Sequence, residues 1–450
     1  MSNAASPTDP LALLDDLISR ARAAGADAAD AVMFEHASLS VSQRLGQPEG
    51  IERAESQDVG LRVFHGKRQA IVSSTDIGAR ALAELIERAL AMASAAPEDP
   101  YCGLAEANRL AADFPGLELC DDHEPTPEAL NLRAAAAEDA ARAVAGITNS
   151  EGAEAGWYRT KVSLATSAGF AAGYEASQHS ISAAVIAGEG AAMERDYDYA
   201  SARFVADLAD AETIGRNAGM RAVRRLNPQK ASNGQMPVIY DWRVANGMLS
   251  HLAGAIAGPA VARGTSFLKD RLGEAVFAAC VTITDDPRRL RGLRSKAFDG
   301  EGVATAARNI IEDGVLTTWL LDSRSGRQLN METTGHAARG ASSPPSPSAT
   351  NLYLAPGKET PEALIGAIDK GFLVTELIGM GVNSVTGDYS RGAAGFWIEN
   401  GEITHPVSEM TVAGNLKDMF AGLTPADDLV LRHGVDAPTI RIDGMTVAGA

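Results

Sequence analysis

A chain of 450 residues has room for two or three domains, each with a core of its own. Apolar residues form 45% of it and aromatic residues only 5%, so those cores must be built from Ala, Val, Leu and Ile, which suits helix-on-sheet layers. A formal net charge of -18 repels phosphate backbones, and no run of about 20 apolar residues is present to span a bilayer, so nucleic acid and membrane are set aside as direct partners.

The first nine residues, Met1 to Asp9, lack the basic end and apolar stretch of a secretory signal. Cys102, Cys120 and Cys280 are an odd number, widely spaced and in no zinc-knuckle or redox spacing. They read as free thiols in a reducing compartment, and the expected location is cytoplasmic.

Thr8 or Asp9 can cap a first helix, with Pro10 in its first turn and Leu11, Leu14, Leu17, Ile18 and Ala21 on one face before Gly25 stops it. From Ala31 to Ser74 the pattern shifts to short alternating segments between polar turns, an antiparallel sheet. A second helix runs from Asp76 to Pro97, and five prolines between Pro97 and Pro127 predict an irregular connection. Helix returns from Thr126 to Val144, strands occupy Tyr158 to Leu164 and Ser180 to Ile186, and a helix from Asp210 to Leu226 precedes a polar linker ending at Gly234. The order helix, sheet, helix thus occurs twice before residue 230. An internal duplication accounts for it, and so does ordinary α+β alternation.

Beyond Pro237 come a strand (Val238 to Tyr240), a helix from Asp241 or Trp242 to Ala257, and then Gly-rich short strands at Gly314 to Leu321, Asn351 to Leu354 and Gly395 to Ile403. Asn400-Gly401 predicts a tight hairpin in the last of these. The Ser/Pro-rich stretch Ala337 to Ala349 is expected to be a mobile loop. The fold class is therefore α+β: N-terminal helix and antiparallel-sheet layers followed by a strand-rich, Gly-rich C-terminal domain, with units at residues 1–100, 101–230 and 231–450.

The histidines are isolated, and none of the familiar nucleophile elbows or phosphate loops is present. His251 lies in Ser250-His251-Leu252-Ala253-Gly254-Ala255-Ile256, with no adjacent Glu and no second His one turn on, so by itself it reads as a core or interface residue. Two stretches mix hydroxyls, acid, His and Arg with glycines: Thr333 to Gly340 and Gly381 to Gly395. They can present backbone groups to an extended peptide, or their glycines can simply make tight turns.

Phe298-Asp299-Gly300-Glu301-Gly302-Val303, Asp313-Gly314-Val315-Leu316, Trp319 to Ser323, Thr334-Gly335-His336-Ala337, Gly381-Val382-Asn383, Val385-Thr386-Gly387-Asp388 and Gly395 to Gly401 together resemble the TldD/PmbA family, on its PmbA (TldE) side. Order and spacing agree from about Pro237 to Phe420; the N-terminal half agrees more loosely, at Gly60-Leu61-Arg62-Val63. The resemblance implies a two-subunit zinc protease acting on unfolded polypeptides and leader peptides, whose TldD-type chain bears an H-E-x-x-x-H motif. On it, His251 stands at the first His, Leu252 replaces the Glu and Ile256 the second His, so no cofactor is expected in this chain and zinc in the partner. It further implies a TldD-type partner, a homodimer when that partner is absent, and residues 231–450 as a protease chamber to which Thr334, Gly335, His336, Asn383, Thr386, Gly387 and Asp388 contribute substrate contacts. The family's label as a modulator of DNA gyrase implies an indirect effect, given the charge. Two other classes stay open: a homodimeric scaffold, and an enzyme whose site converges from scattered His and Asp.

Overall fold

The computed structural model describes residues 9–449. Met1 to Thr8 lie outside it; of the two proposed caps, Asp9 is described and accepts from Leu11 N at 3.1 Å.

The N-terminal half is built from α1 (Pro10–Ala23), β1 (Ala28–Arg44), β2 (Gln47–His65), β3 (Arg68–Ser74) and α2 (Ala79–Ala95), then α3 (Pro127–Arg142), β4 (Ile147–Thr166), β5 (Ala171–Ala187), β6 (Glu194–Ala202) and α4 (Ala211–Arg224). The short segments expected between Ala31 and Ser74 are in fact two long strands and one short one, because the polar stretches between them continue the ladder and face solvent rather than turning. All six strands form one antiparallel sheet in the order β3-β2-β1-β4-β5-β6. That order is symmetric about the β1–β4 pairing, as two copies of an α-β-β-β-α unit joined through their first strands would be. Each half keeps its own core on the helix-covered face. Leu14, Leu17, Leu61 and Leu85 centre one, and Leu130, Trp157, Ile181 and Ile214 the other.

The C-terminal half adds β7 (Gly234–Tyr240), α5 (Trp242–Ala255), α6 (Gly258–Ala262), β8 (Ile283–Asp285), β9 (Arg308–Glu312), β10 (Val315–Leu316) and α7 (Ser323–Gln328). They are followed by β11 (Ala337–Ala338), β12 (Ser346–Pro347), β13 (Leu352–Leu354), α8 (Pro361–Gly366), β14 (Lys370–Ile378), β15 (Asp388–Glu399) and β16 (Glu402–Asn415). The chain ends with α9 (Leu416–Ala421), β17 (Leu423–Pro425), β18 (Val435–Asp436) and β19 (Ile440–Gly449). Strand β7 pairs in parallel with β14, β14 with β15, β15 with β16, β16 with β19, and β19 again with β7, so the strands close into a small barrel. Closure bends the strands at irregularities in register at Val374/Glu376, Ala393/Gly395 and Ile442/Met445, where an extra residue increases local twist. A second sheet, β10-β9-β8-β13-β18, packs with α5 on the same large core.

The hairpin between β15 and β16 turns at Asn400 and Gly401, both with positive φ (52° and 79°), as the dipeptide predicts. Of the strand expected from Gly314 to Leu321 only Val315 and Leu316 join a ladder; Leu320 makes a single bridge to Ala257. The stretch Ala337 to Ala349 is not a free loop. β11 and β12 pair, Gly300 N donates to Ala337 O at 2.7 Å, and Arg339 is buried. Its backbone also lies directly on β2: a Cβ added at Gly60 would sit 2.1 Å from Ala341 O, so only glycine permits the approach. Composition predicted mobility because it could not show this docking. Among the described residues, no helix is long and apolar enough to cross a membrane.

Candidate functional site

Helix α5 starts at the Asp241 cap, whose carboxylate accepts from Arg243 N at 2.9 Å. Ala245, Met248, Leu249, Leu252 and Ala255 follow at helical spacing and are buried in the barrel core. A different face, with Asn246, Ser250 and Gly254, borders a groove of about 370 Å³ that Ser348 and His433 also line. His251 points elsewhere. Its ring stands edge-on to Tyr389 of β15, with centroids 5.9 Å apart, and its Nε2 is buried without a hydrogen-bond partner. Burial, reinforced by the Arg391 charge, holds its pKa below the usual range, so the ring is neutral at pH 7.

A lone neutral imidazole with an orphaned nitrogen is the right chemistry for one metal ligand, but nothing completes the set. Leu252 and Ile256, at the positions where a general base and a second His would be needed, are both 0% exposed and packed in hydrocarbon. Arg391 beside His251 disfavours a cation there, and among the described residues no group of three or more His, Cys, Asp or Glu is disposed to hold one. The residues of this helix do not fit a zinc ion.

The two glycine-rich stretches separate sharply in environment. Thr334 and His336 are interior, 7% and 2% exposed. Thr334 Oγ1 accepts from Leu321 N at 2.8 Å; His336 Nδ1 lies 2.8 Å from that hydroxyl and Nε2 lies 3.3 Å from Asp285 Oδ1. Gly335, between them, has φ +73°, and a Cβ there would lie 2.7 Å from Ala304 O. Within this chain Thr334 and His336 are therefore buried and brace the fold, in contrast to the exposed Asn383, Thr386 and Asp388. Sequence spacing could show the mixture of groups but not that Asp285, some fifty residues earlier, would cover the ring.

Asn383, Thr386, Gly387 and Asp388 form one compact turn at the start of β15. Asn383 Oδ1 accepts from Val385 N at 3.0 Å, Gly387 N donates to Asn383 O at 2.8 Å, and Thr386 Oγ1 donates to Asp388 Oδ2 at 2.6 Å. Asp388 Oδ1 also accepts from Asn415 Nδ2 at 3.0 Å. The Thr386 and Asn415 hydrogen bonds lower its pKa, and it is exposed and anionic. Three large apolar side chains flank the turn in solvent: Ile378, Met380 and Val385, at 60%, 89% and 54% exposure.

A buried charge network, absent from the sequence reading as a site, joins the two halves of the molecule. Asp30 of β1 and Arg62 of β2 are cross-strand neighbours, and Asp30 accepts from Arg62 Nε at 2.9 Å and from Arg339 Nη1 at 2.6 Å. Burial opposes ionisation of Asp30, but Arg339 and Arg62 together hold its carboxyl below the usual range. Asp299 accepts from the backbone N–H groups of Glu301, Val303 and Ala337 at 2.8, 2.9 and 3.0 Å; burial and the neighbouring Glu301 charge nevertheless push its pKa up to about 7. The signal for this network lay in charged residues at inward positions of otherwise apolar strands, Asp30 in Ala28 to Phe34 and Arg62 in Gly60 to Phe64.

Residues 29–93, 121–226 and 233–449 match, in turn, the family descriptions PmbA/TldA metallopeptidase domain 1, central domain and C-terminal domain. The chain is 41% identical to "Metalloprotease PmbA" of Escherichia coli O157:H7, over 94% of this chain and 92% of that protein. A crystal structure from Bacteroides thetaiotaomicron, of a protein named as a candidate modulator of DNA gyrase, superposes with TM-score 0.90 at 28% identity over 98% of both chains. TldE from Thermococcus kodakarensis shares the fold, with TM-score 0.86 at 22% identity over 97% of this chain and 100% of that one.

Proposed function

The chain belongs to the PmbA/TldD metallopeptidase family, and from that premise we propose that it is the subunit without zinc in a two-chain metalloprotease acting on extended peptides. The observation that carries this reading is the helix α5 itself. Where a catalytic chain of this kind needs a general base and a second imidazole, Leu252 and Ile256 complete a hydrocarbon core, and their replacement by polar groups would disrupt the barrel rather than merely add a function. A chain so built contributes by shape and by docking, and zinc belongs to a TldD-type partner.

The turn that exposes Asn383, Thr386 and Asp388 around the buried Gly387, with Ile378, Met380 and Val385 beside it, is the part of this chain that meets peptide in the assembled enzyme. Most of its backbone groups are satisfied internally, so its contribution is an apolar edge beside one fixed carboxylate rather than a free ladder for strand addition. Thr334, Gly335 and His336 act one layer further in, holding the backbone that carries Arg339. The reading also favours the cytoplasm as the place of work, since its substrates are unfolded cellular polypeptides and its three cysteines are unpaired.

Met380→Ser and Asp388→Ala test the turn. Met380 is 89% exposed and its replacement leaves stability near that of the parent chain, while Asp388→Ala also removes the hydrogen bonds from Thr386 and Asn415, so the folding of both variants is checked by circular dichroism. Cleavage of an unstructured peptide by the mixture with a TldD-type chain should fall at least several-fold, whereas unchanged cleavage with both variants would remove the turn from the substrate path.

A further inference from the structure

A cavity of about 80 Å³ lies between the open face of the N-terminal sheet and the C-terminal half, apart from α5 and from the turn at Asp388. Its sheet side is apolar and aromatic, with Phe34, Leu164 and Tyr174; its far side carries Lys296, Asp299 and Arg339. The side chain of Arg339 is 1% exposed. Its Nη1 donates to Asp30 at 2.6 Å, but Nε and Nη2 are buried with no hydrogen-bond partner. Those two nitrogens share one edge of the guanidinium plane, spaced to meet the two oxygens of a single carboxylate.

The acids nearby are already committed elsewhere. Asp30 is held by Arg62 and Arg339, Asp299 accepts three backbone N–H groups, Glu301 accepts from Ser323 N at 2.8 Å, and Asp285 accepts from Thr350 N at 2.6 Å and faces His336. Lys296 feels the charges of Asp299 and Asp285 without a hydrogen bond to either, and burial lowers its pKa. A buried cationic fork with two idle donors, next to a second cation, needs an acceptor that this chain does not supply. A cavity of about 80 Å³ is several times the roughly 10–15 Å³ that one water needs on the same measure, which leaves room for one carboxylate group.

We propose that this cavity is a carboxylate-binding site, in which the anion accepts from Arg339 Nε and Nη2 and from Lys296 Nζ while its carbon end rests on Phe34 and Leu164. The site does not depend on the peptide reading. Its carboxylate can come from a small free acid or from a peptide, through the C-terminus or an acidic side chain, and the planar fork and small volume favour it over tetrahedral oxyanions.

The test is calorimetric titration of the full chain with sodium formate and acetate against sodium chloride at matched ionic strength. Saturable binding is expected, with Kd raised at least tenfold in Lys296→Met and largely restored in Lys296→Arg. Arg339→Met also unpairs buried Asp30, so the Lys296 variants carry the test and their folding is checked by circular dichroism. Competition then assigns the source: a blocked dipeptide with a free C-terminal acid against its amide, and a doubly blocked Asp peptide against its Asn counterpart. Absence of saturable formate or acetate binding, the same Kd in a folded Lys296→Met variant, or equal binding of inorganic phosphate would each overturn the assignment.

Discussion

Replacing Leu252 by Glu puts a carboxylate next to His251 on α5, and the structure gives the consequence a size. Leu252 is 0% exposed within the barrel core. Loss of its burial costs about 2 kcal/mol. A carboxyl group placed there must be protonated at pH 7. Raised from an unfolded pKa of about 4.3 to above 7, it forfeits about 1.4 kcal/mol per pH unit, or about 4 kcal/mol at neutrality. The sum, about 6 kcal/mol, is comparable with the whole stability of many domains. Because the folded pKa is raised, the protonation penalty is absent below about pH 4.3 and grows as pH increases toward the folded value. Urea unfolding of Leu252→Glu at pH 4 and pH 7, read against the parent chain, should show the deficit shrinking in acid, and Leu252→Glu with Ile256→His should hold no stoichiometric zinc by metal analysis. A double variant that unfolds like the parent and binds one zinc per chain would refute the claim that this helix face is structural.

Three further outcomes follow from the buried network and the docked loop. Arg62→Met leaves Asp30 with Arg339 alone and should cost about 3–5 kcal/mol, with Asp30→Asn in the same chain recovering part of it; a change within 1 kcal/mol of zero would mean that the pair is not coupled to stability. Asp299, whose folded pKa of about 7 exceeds its unfolded value, contributes stability that is fully present below pH 4 and lost as pH rises through 7. The advantage of the parent chain over Asp299→Asn should therefore shrink between pH 4 and 7 in unfolding titrations, and a difference that grows would reverse the sign of the argument. Gly60→Ala should lift residues 337–349 off β2 and open Ala341 to Ser346 to limited proteolysis, whereas an unchanged digest would show that the loop is held without that contact.

Local rules reached well into this fold. Periodicity placed α1 and α5 to within a few residues and Asn400-Gly401 set its hairpin, whereas the repeated order of helix and strand left duplication and plain alternation open until the symmetric N-terminal sheet was seen. Long-range closure was beyond them. The pairing of β16 with β19 that completes the barrel joins strands separated by three intervening elements, α9, β17 and β18, with no local signature to announce it. The same limit governed the site. Thr334 and His336 look functional in sequence because they cluster with glycines, yet Asp285 and Leu321 enclose them; Arg339 looked like part of a free loop, yet it is a buried cation tied to Asp30 on the far half of the chain. By contrast the apolar character of Leu252 and Ile256 was legible from residue type alone, and the structure places both in the barrel core.

The central claim is that this chain works with a zinc-bearing partner rather than by itself. Cleavage of an unstructured peptide should be measured with the purified chain, with a TldD-type chain, and with the two mixed, each before and after a zinc chelator. The account predicts robust, chelator-sensitive cleavage in the mixture and none from this chain; chelator-sensitive turnover by this chain alone would contradict it.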